Sequence, residues 1–120
     1  DIPATSKGIE EGTHSNGVTA RGKDGPAAPG GMRHGINNYT DWFDGDPHMG
    51  GQYFGYDGPC PPWNDSIVHH YVFTLYALDL DRCPVDGVFG GEDVRKAISG
   101  HVLGKVRITG TYSLNPDVPA

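Results

Sequence analysis

The sequence predicts a mainly β domain that carries one α-helix near its carboxyl end. Three stretches support this fold class: an apolar run from Ile67 to Leu78, an alternating run from Lys105 to Ser113, and a helical repeat over about residues 92–103. The apolar run is rich in the β-branched and aromatic residues that favour strands, and the alternating run has the two-residue period of a sheet. We therefore expect two long strands with a short helix between them.

The run from Ile67 to Leu78 is the longest strand that the sequence predicts. Both of its alternating side-chain sets are largely apolar, which is typical of a central strand covered on both faces. Its polar residues lie near the amino end, where strand geometry places His69 and Tyr71 on one face and His70 on the other. An imidazole and a phenol on one face, next to a loop, indicate the floor of a binding pocket.

The helix is predicted to begin at Gly91 or Glu92 and to reach about residue 103, with Gly104 as its stop. Acidic side chains, including Glu92, fall in the first turn, where the helix dipole favours negative charge. Helical spacing places one set of side chains on a common face: Val94, Ala97, Ile98, His101 and Val102.

The strand from Lys105 to Ser113 is predicted to have one buried face and one wet face. The residues predicted to point inward are Val106, Ile108, Gly110 and Tyr112, and those predicted to point outward are Lys105, Arg107, Thr109 and Thr111.

The first half of the chain is predicted to build loops, because most of the 19 glycines and 10 prolines fall before residue 63. Thr13 to Arg21 is a candidate for a short edge strand, and Gly22 to Gly31 is expected to consist of turns. Asn37 is interpreted as a turn-building residue rather than a ligand contact. A strand that is apolar on both faces needs more neighbours than this sequence offers, so the chain looks short of strands.

Three motifs occur in a fixed order around the apolar run. They are Gly58-Pro59-Cys60-Pro61-Pro62, His69-His70-Tyr71 and Tyr76-Ala77-Leu78-Asp79. In this order and spacing they resemble the phosphatidylethanolamine-binding protein family, also called the Raf-kinase-inhibitor-like family, and above all its small bacterial members. The resemblance implies a Greek-key β-sandwich with a carboxy-proximal helix.

The resemblance extends over nearly the whole chain but covers only the later part of a family member. Ile2-Pro3-Ala4 is similar to the turn that follows an earlier strand, and Gly100-His101-Val102-Leu103 to the family's closing segment. The family's Asp-Pro-Asp-x-Pro motif and Trp/His pair, which form the other pocket wall, would precede Asp1. Residues 1–120 are therefore expected to form a single domain, incomplete at its amino-terminal end. A complementing amino-terminal segment or a homo-oligomer stays open as the source of that wall.

The same resemblance implies a pocket for a small anion, lined by Tyr56, Gly58, Pro59, His69 and Tyr71. Glycine lets backbone N–H groups approach an anion, proline fixes the loop in advance, and imidazole and phenol groups donate hydrogen bonds. The alternative is that His69 and Tyr71 only satisfy each other at the end of a sheet.

Charge and hydropathy exclude two classes of protein. A net charge of -6 with no basic stripe argues against a general nucleic-acid binder. No apolar run approaches the ~20 residues that a membrane helix requires. We expect a soluble protein without a transmembrane segment, cytoplasmic or periplasmic.

The two cysteines raise the question of a disulfide, and three neighbouring aspartates raise the question of a cation site. Cys60 and Cys83 flank the predicted central strand, whose length separates their flanking loops, so unpaired thiols are favoured over a disulfide. Asp41, Asp44 and Asp46 match no EF-hand spacing, and a solvated acidic loop is favoured over a cation site.

Three function classes remain. The sequence favours a non-enzymatic binding protein for a phosphate, a phosphomonoester or a phospholipid head group. An inhibitor that acts on a protein kinase or protease through its surface is the alternative. A hydrolase or metalloenzyme is disfavoured, because His69 and His70 point to opposite faces and no catalytic motif such as H-E-x-x-H occurs. No catalytic residue, metal ligand or cofactor is predicted.

Overall fold

A computed structural model describes residues 1–15 and 17–120 of the chain. These residues form two compact units. The first unit comprises Asp1–Gly58 and Asp81–Ser99, and the second comprises Pro59–Leu80 and Gly100–Ala120.

Short helices and loops build the first unit. It contains a 3-10 helix at Pro29–Gly31, helix α1 at Tyr39–Trp42 and helix α2 at Gly91–Ile98. Isolated β-bridges join the loops, for example between Lys23 and Tyr53. The expectation of an edge strand at residues 13–21 is wrong for residues 13–15 and 17–21, which form no strand, and Asn16 lies outside the described residues.

A small aromatic core holds these loops together. The buried hydrophobic side chains that the structure describes are Tyr53, Phe54, Phe89 and Ile98. Tyr53 is fully buried at 0% exposure, and the Tyr39 and Phe43 rings pack against it with centroids 5.9 and 5.6 Å away. Aromatic rings carry most of the apolar area available to a loop-rich segment, so this cluster anchors the first unit.

Helix α2 is shorter than the sequence predicts. The Gly90 N–H donates to the Asp93 carboxylate at 2.8 Å, which satisfies a donor at the start of the helix. The helix ends at Ile98, because Ser99 leaves helical geometry and Gly100 adopts a φ of 81°. The predictions of a helix to about residue 103 and of a stop at Gly104 are therefore wrong, and Val102 begins a strand.

The second unit is built on an antiparallel pair of strands, β1 at His69–Leu78 and β2 at Val102–Tyr112. The register pairs His69 with Tyr112 at one end and Leu78 with Val102 at the other, with an irregularity before Leu78. The sequence correctly predicted that both segments are strands. Strand β1 starts two residues later than predicted, and β2 starts three residues earlier. In the described residues the regular structure is thus mostly β with few helices.

The burial predicted for the strands is wrong in this chain. Val72 and Phe73, on opposite faces of β1, are 54% and 49% exposed, and Ile108 of β2 is 71% exposed. Among residues 1–15 and 17–120, β1 and β2 pair in a two-stranded sheet. A Greek-key sandwich is therefore not observed in this part of the chain. A two-stranded sheet provides no second layer of its own to cover either face.

Candidate functional site

Residues of the predicted pocket fall in both units. Tyr56 and Gly58 belong to the first unit, whereas Pro59, His69 and Tyr71 belong to the second. The five-residue pocket therefore stays a prediction.

One face of the two-stranded sheet carries polar side chains at the end where β1 begins and β2 ends. His69 and Tyr71 lie on this face of β1, as predicted, and both are half-buried. The register places Tyr112 directly opposite His69, and Gly110 opposite Tyr71. Directly paired residues have Cβ atoms about 5 Å apart, so the Tyr112 side chain lies on the same face of the sheet as the His69 imidazole. Gly110 adds no side chain beside Tyr71.

Asp65 orients the imidazole of His69. The His69 Nε2 atom lies 2.7 Å from Asp65 Oδ2. A second oxygen, Asp65 Oδ1, accepts from the Ile67 N–H at 3.3 Å, and the Asp65 carbonyl accepts from Asn115 Nδ2 at 2.9 Å. The hydrogen bond from His69 is the main reason that the pKa of Asp65 lies below its usual range. Asp65 is therefore a fixed anionic partner of His69.

His70 lies on the opposite face of β1, exposed and paired with Thr111. The separation of the two histidines onto opposite faces follows from strand alternation, as predicted. Among the described residues no group of three or more His, Cys, Asp or Glu side chains could hold a metal ion.

In the first unit, a buried carboxylate belongs to a hydrogen-bond network that fixes the segment from Gly55 to Asp57. The Asp57 side chain is only 1% exposed and lies 3.5 Å from Lys23 Nζ. Its other oxygen accepts from Asn37 Nδ2 at 2.8 Å, and the same amide group also donates to the Gly55 carbonyl at 2.9 Å. Lys23 further donates to the Tyr56 carbonyl at 3.3 Å. These bonds hold the backbone at Gly55 and Tyr56, immediately before Asp57.

Gly58 has a φ of 89°, a left-handed conformation that favours glycine. Asn37 has the turn-building role that the sequence suggests, since its Oδ1 accepts from the Tyr39 N–H at 3.0 Å. Asp46 likewise caps a turn, accepting from the N–H groups of His48 and Met49. Cys60 and Cys83 are both unpaired thiols.

Several of these residues were not identified from the sequence. Asp65, Asn115, Lys23 and Asp57 carry no motif of their own. Tyr112 was predicted to point inward, and that prediction, combined with the pairing of the two strands, was the one signal that could have placed it near His69.

Comparison with known proteins identifies the family. The sequence profile of the family described as phosphatidylethanolamine-binding protein matches residues 1–113, and the chain belongs to this family. A protein of Methanothermobacter thermautotrophicus named UPF0098 protein is 37% identical over 114 residues, which cover 93% of this chain and 58% of that protein. UPF0098 protein YbcL of Escherichia coli is 29% identical over 130 residues, covering 92% of this chain and 69% of that protein.

A more distant match is the putative lipoprotein LppC of Mycobacterium tuberculosis, 39% identical over 66 residues, which cover 55% of this chain and 31% of that protein. No solved structure gives a significant match. In the described part of the chain, no helix has the length and apolar character needed to cross a membrane.

Proposed function

We propose that this chain is a non-enzymatic binding domain for a small anionic group, such as a phosphate, a phosphomonoester or a phospholipid head group. Membership of the phosphatidylethanolamine-binding protein family supports a binding role. The observation that carries the proposal is the placement of His69, Tyr71 and Tyr112 on one face of the two-stranded sheet, with His69 oriented by Asp65. Imidazole and phenol groups at one end of a sheet are suitable donors to an oxyanion.

Asp65 determines how His69 can act. A carboxylate only accepts hydrogen bonds, so the imidazole donates its Nε2–H to Asp65 Oδ2. In a neutral His69 the remaining Nδ1 atom then has no proton and cannot donate to an anion. Protonation supplies an Nδ1–H and a positive charge together. The imidazolium of His69 is therefore the form that binds an anion in this proposal.

The loop from Tyr56 to Gly58 is held in place within the first unit. Gly58 has a left-handed conformation and the Tyr56 carbonyl accepts from Lys23, so this loop is ordered before a ligand arrives. Pro59 restricts the loop further, because its ring fixes φ. Ordering a loop in advance lowers the entropy cost of binding.

The test is isothermal titration with O-phosphorylethanolamine and with inorganic phosphate at pH 6. His69→Ala removes a hydrogen bond between charged partners and is expected to weaken binding about ten- to a hundredfold. His70→Ala is the matched control, because His70 is the neighbouring residue on the opposite face and is exposed. Its affinity is expected to stay within about twofold of the parent.

Equal losses in the two variants would show that the histidines act structurally and would overturn the proposal. A chain that binds neither ligand but slows a protein kinase or protease would favour the alternative, an inhibitor that acts through its surface. Turnover of a phosphate ester by the purified chain would contradict the non-enzymatic role.

A further inference from the structure

A cleft of about 280 Å³ is lined entirely by residues of the first unit. Three of its lining side chains can carry positive charge, namely His14, Lys23 and His34, and no Asp or Glu lines it among the described residues. Thr13 and Ser15 add hydroxyl groups to the same wall. The cleft shares no residue with the site proposed around His69.

Two histidines meet at this cleft. His14 Nδ1 lies 2.9 Å from His34 Nε2, and the ring planes meet edge to face at 63° with centroids 5.0 Å apart. At this separation one nitrogen donates a hydrogen bond and the other accepts it, so the contact holds a single proton. If both nitrogens are protonated, the hydrogen bond is lost and two N–H donors of like charge face each other.

A lysine lies beside the pair. Lys23 Nζ donates to the His14 carbonyl at 3.0 Å, and its nearest carboxylate partner is Asp57 at 3.5 Å. Burial lowers the pKa of His34, and the charges of His14 and Lys23 lower it further. The backbone closes one side, because a Cβ on Gly55 would come within 2.7 Å of His34 Nδ1.

We propose that this surface, the His14–His34 cleft, binds a small tetrahedral oxyanion that takes the place of the direct contact between the two imidazoles. When both rings are protonated they turn away from each other, each donates one N–H to the oxyanion, and its charge offsets the repulsion between the two imidazolium groups. Hydroxyl groups of Thr13 and Ser15 supply further donors. Because the unliganded pair favours one shared proton, binding is accompanied by proton uptake, and affinity rises as pH falls.

The test uses sulfate, whose charge is constant across the range, in NMR titrations of the 120-residue chain at pH 5.5, 6.5 and 7.5. Histidine signals are assigned with single His→Asn variants. The signals of His14 and His34 are expected to shift with one common dissociation constant that falls at least about fivefold between pH 7.5 and 5.5. His48, exposed in the same unit and outside the cleft, is the control and is expected to stay unmoved.

His34→Asn is expected to abolish the shift of the His14 signal while the His69 signal responds as in the parent. Sodium chloride at matched ionic strength is the second control. The proposal is overturned if chloride reproduces the shifts, if the affinity does not change with pH, or if His48 shifts in parallel. Titrations with inorganic phosphate and O-phosphorylethanolamine at pH 6 then separate a free ion from a phosphomonoester. Because the His69 signal is read in the same spectra, failure at one site is distinguishable from failure at the other.

Discussion

His69 Nε2 and Asp65 Oδ2 lie 2.7 Å apart, four residues from each other in the chain, where β1 begins. Both side chains are partly exposed, at 31% and 28%. A hydrogen-bonded pair so accessible to water contributes little to stability. Its importance lies in orienting the imidazole and in determining which nitrogen carries a proton.

The titration of Asp65 tests this pair directly. The hydrogen bond from His69 lowers the pKa of the Asp65 carboxyl. The pair therefore stabilises the fold above the unfolded-state pKa of this carboxyl, and that contribution is lost as pH falls through the lower folded-state pKa. In carbon-detected NMR titrations, His69→Ala is expected to move the pKa of Asp65 upward, whereas His70→Ala leaves it unchanged. An unchanged pKa in His69→Ala would contradict the pairing.

Asp65 is also expected to control the pH dependence of anion binding at His69. In the parent chain, sulfate affinity read at the His69 signal should decline as pH rises, because neutral His69 keeps its proton on Nε2 for Asp65. Asp65→Ala frees the neutral ring to place its proton on Nδ1. This variant should therefore lose less affinity between pH 5.5 and 7.5 than the parent loses. An equally steep decline in both proteins would show that Asp65 does not direct the proton.

The buried carboxylate of Asp57 predicts a difference between two adjacent asparagines. Asn37→Ala removes the 2.8 Å hydrogen bond to a side chain that is 1% exposed, which should cost about 1–3 kcal/mol. Asn38 is exposed and makes no side-chain cap hydrogen bond, so Asn38→Ala should change the free energy of unfolding by less than about 0.5 kcal/mol. Urea unfolding of both variants measures the difference, and equal values would remove Asn37 from the network.

The substitution Phe73→Ala tests how far the faces of the two-stranded sheet are exposed to solvent. Complete burial in a central strand would make Phe73→Ala cost about 3–5 kcal/mol. The side chain is 49% exposed and lies opposite Ile108, so a cost of roughly 2 kcal/mol is expected for this chain. The same urea unfolding experiment measures it. A loss above about 3 kcal/mol would show that Phe73 is covered in solution.

The boundaries of α2 show where sequence reasoning fails for a local reason. The helical spacing continues through His101 and Val102, but the left-handed backbone at Gly100 ends the helix before the pattern does. Spacing alone cannot distinguish a helix face from the first residues of a following strand when both are apolar. Gly100 was the available stop signal, and the sequence interpretation assigned that role to Gly104.

The sequence by itself determined the family motifs, the types of the two strands and of the helix, and the placement of His69 and Tyr71 opposite His70. These features depend on local backbone geometry, in which side chains alternate whatever the strand packs against. Only the tertiary structure decided that Tyr112 faces His69 and that Asn37 and Lys23 meet Asp57. It likewise placed His14 in contact with His34 and left the faces of the two-stranded sheet exposed. Contacts between residues this far apart depend on strand register and on the path of the loops, which local propensities do not encode.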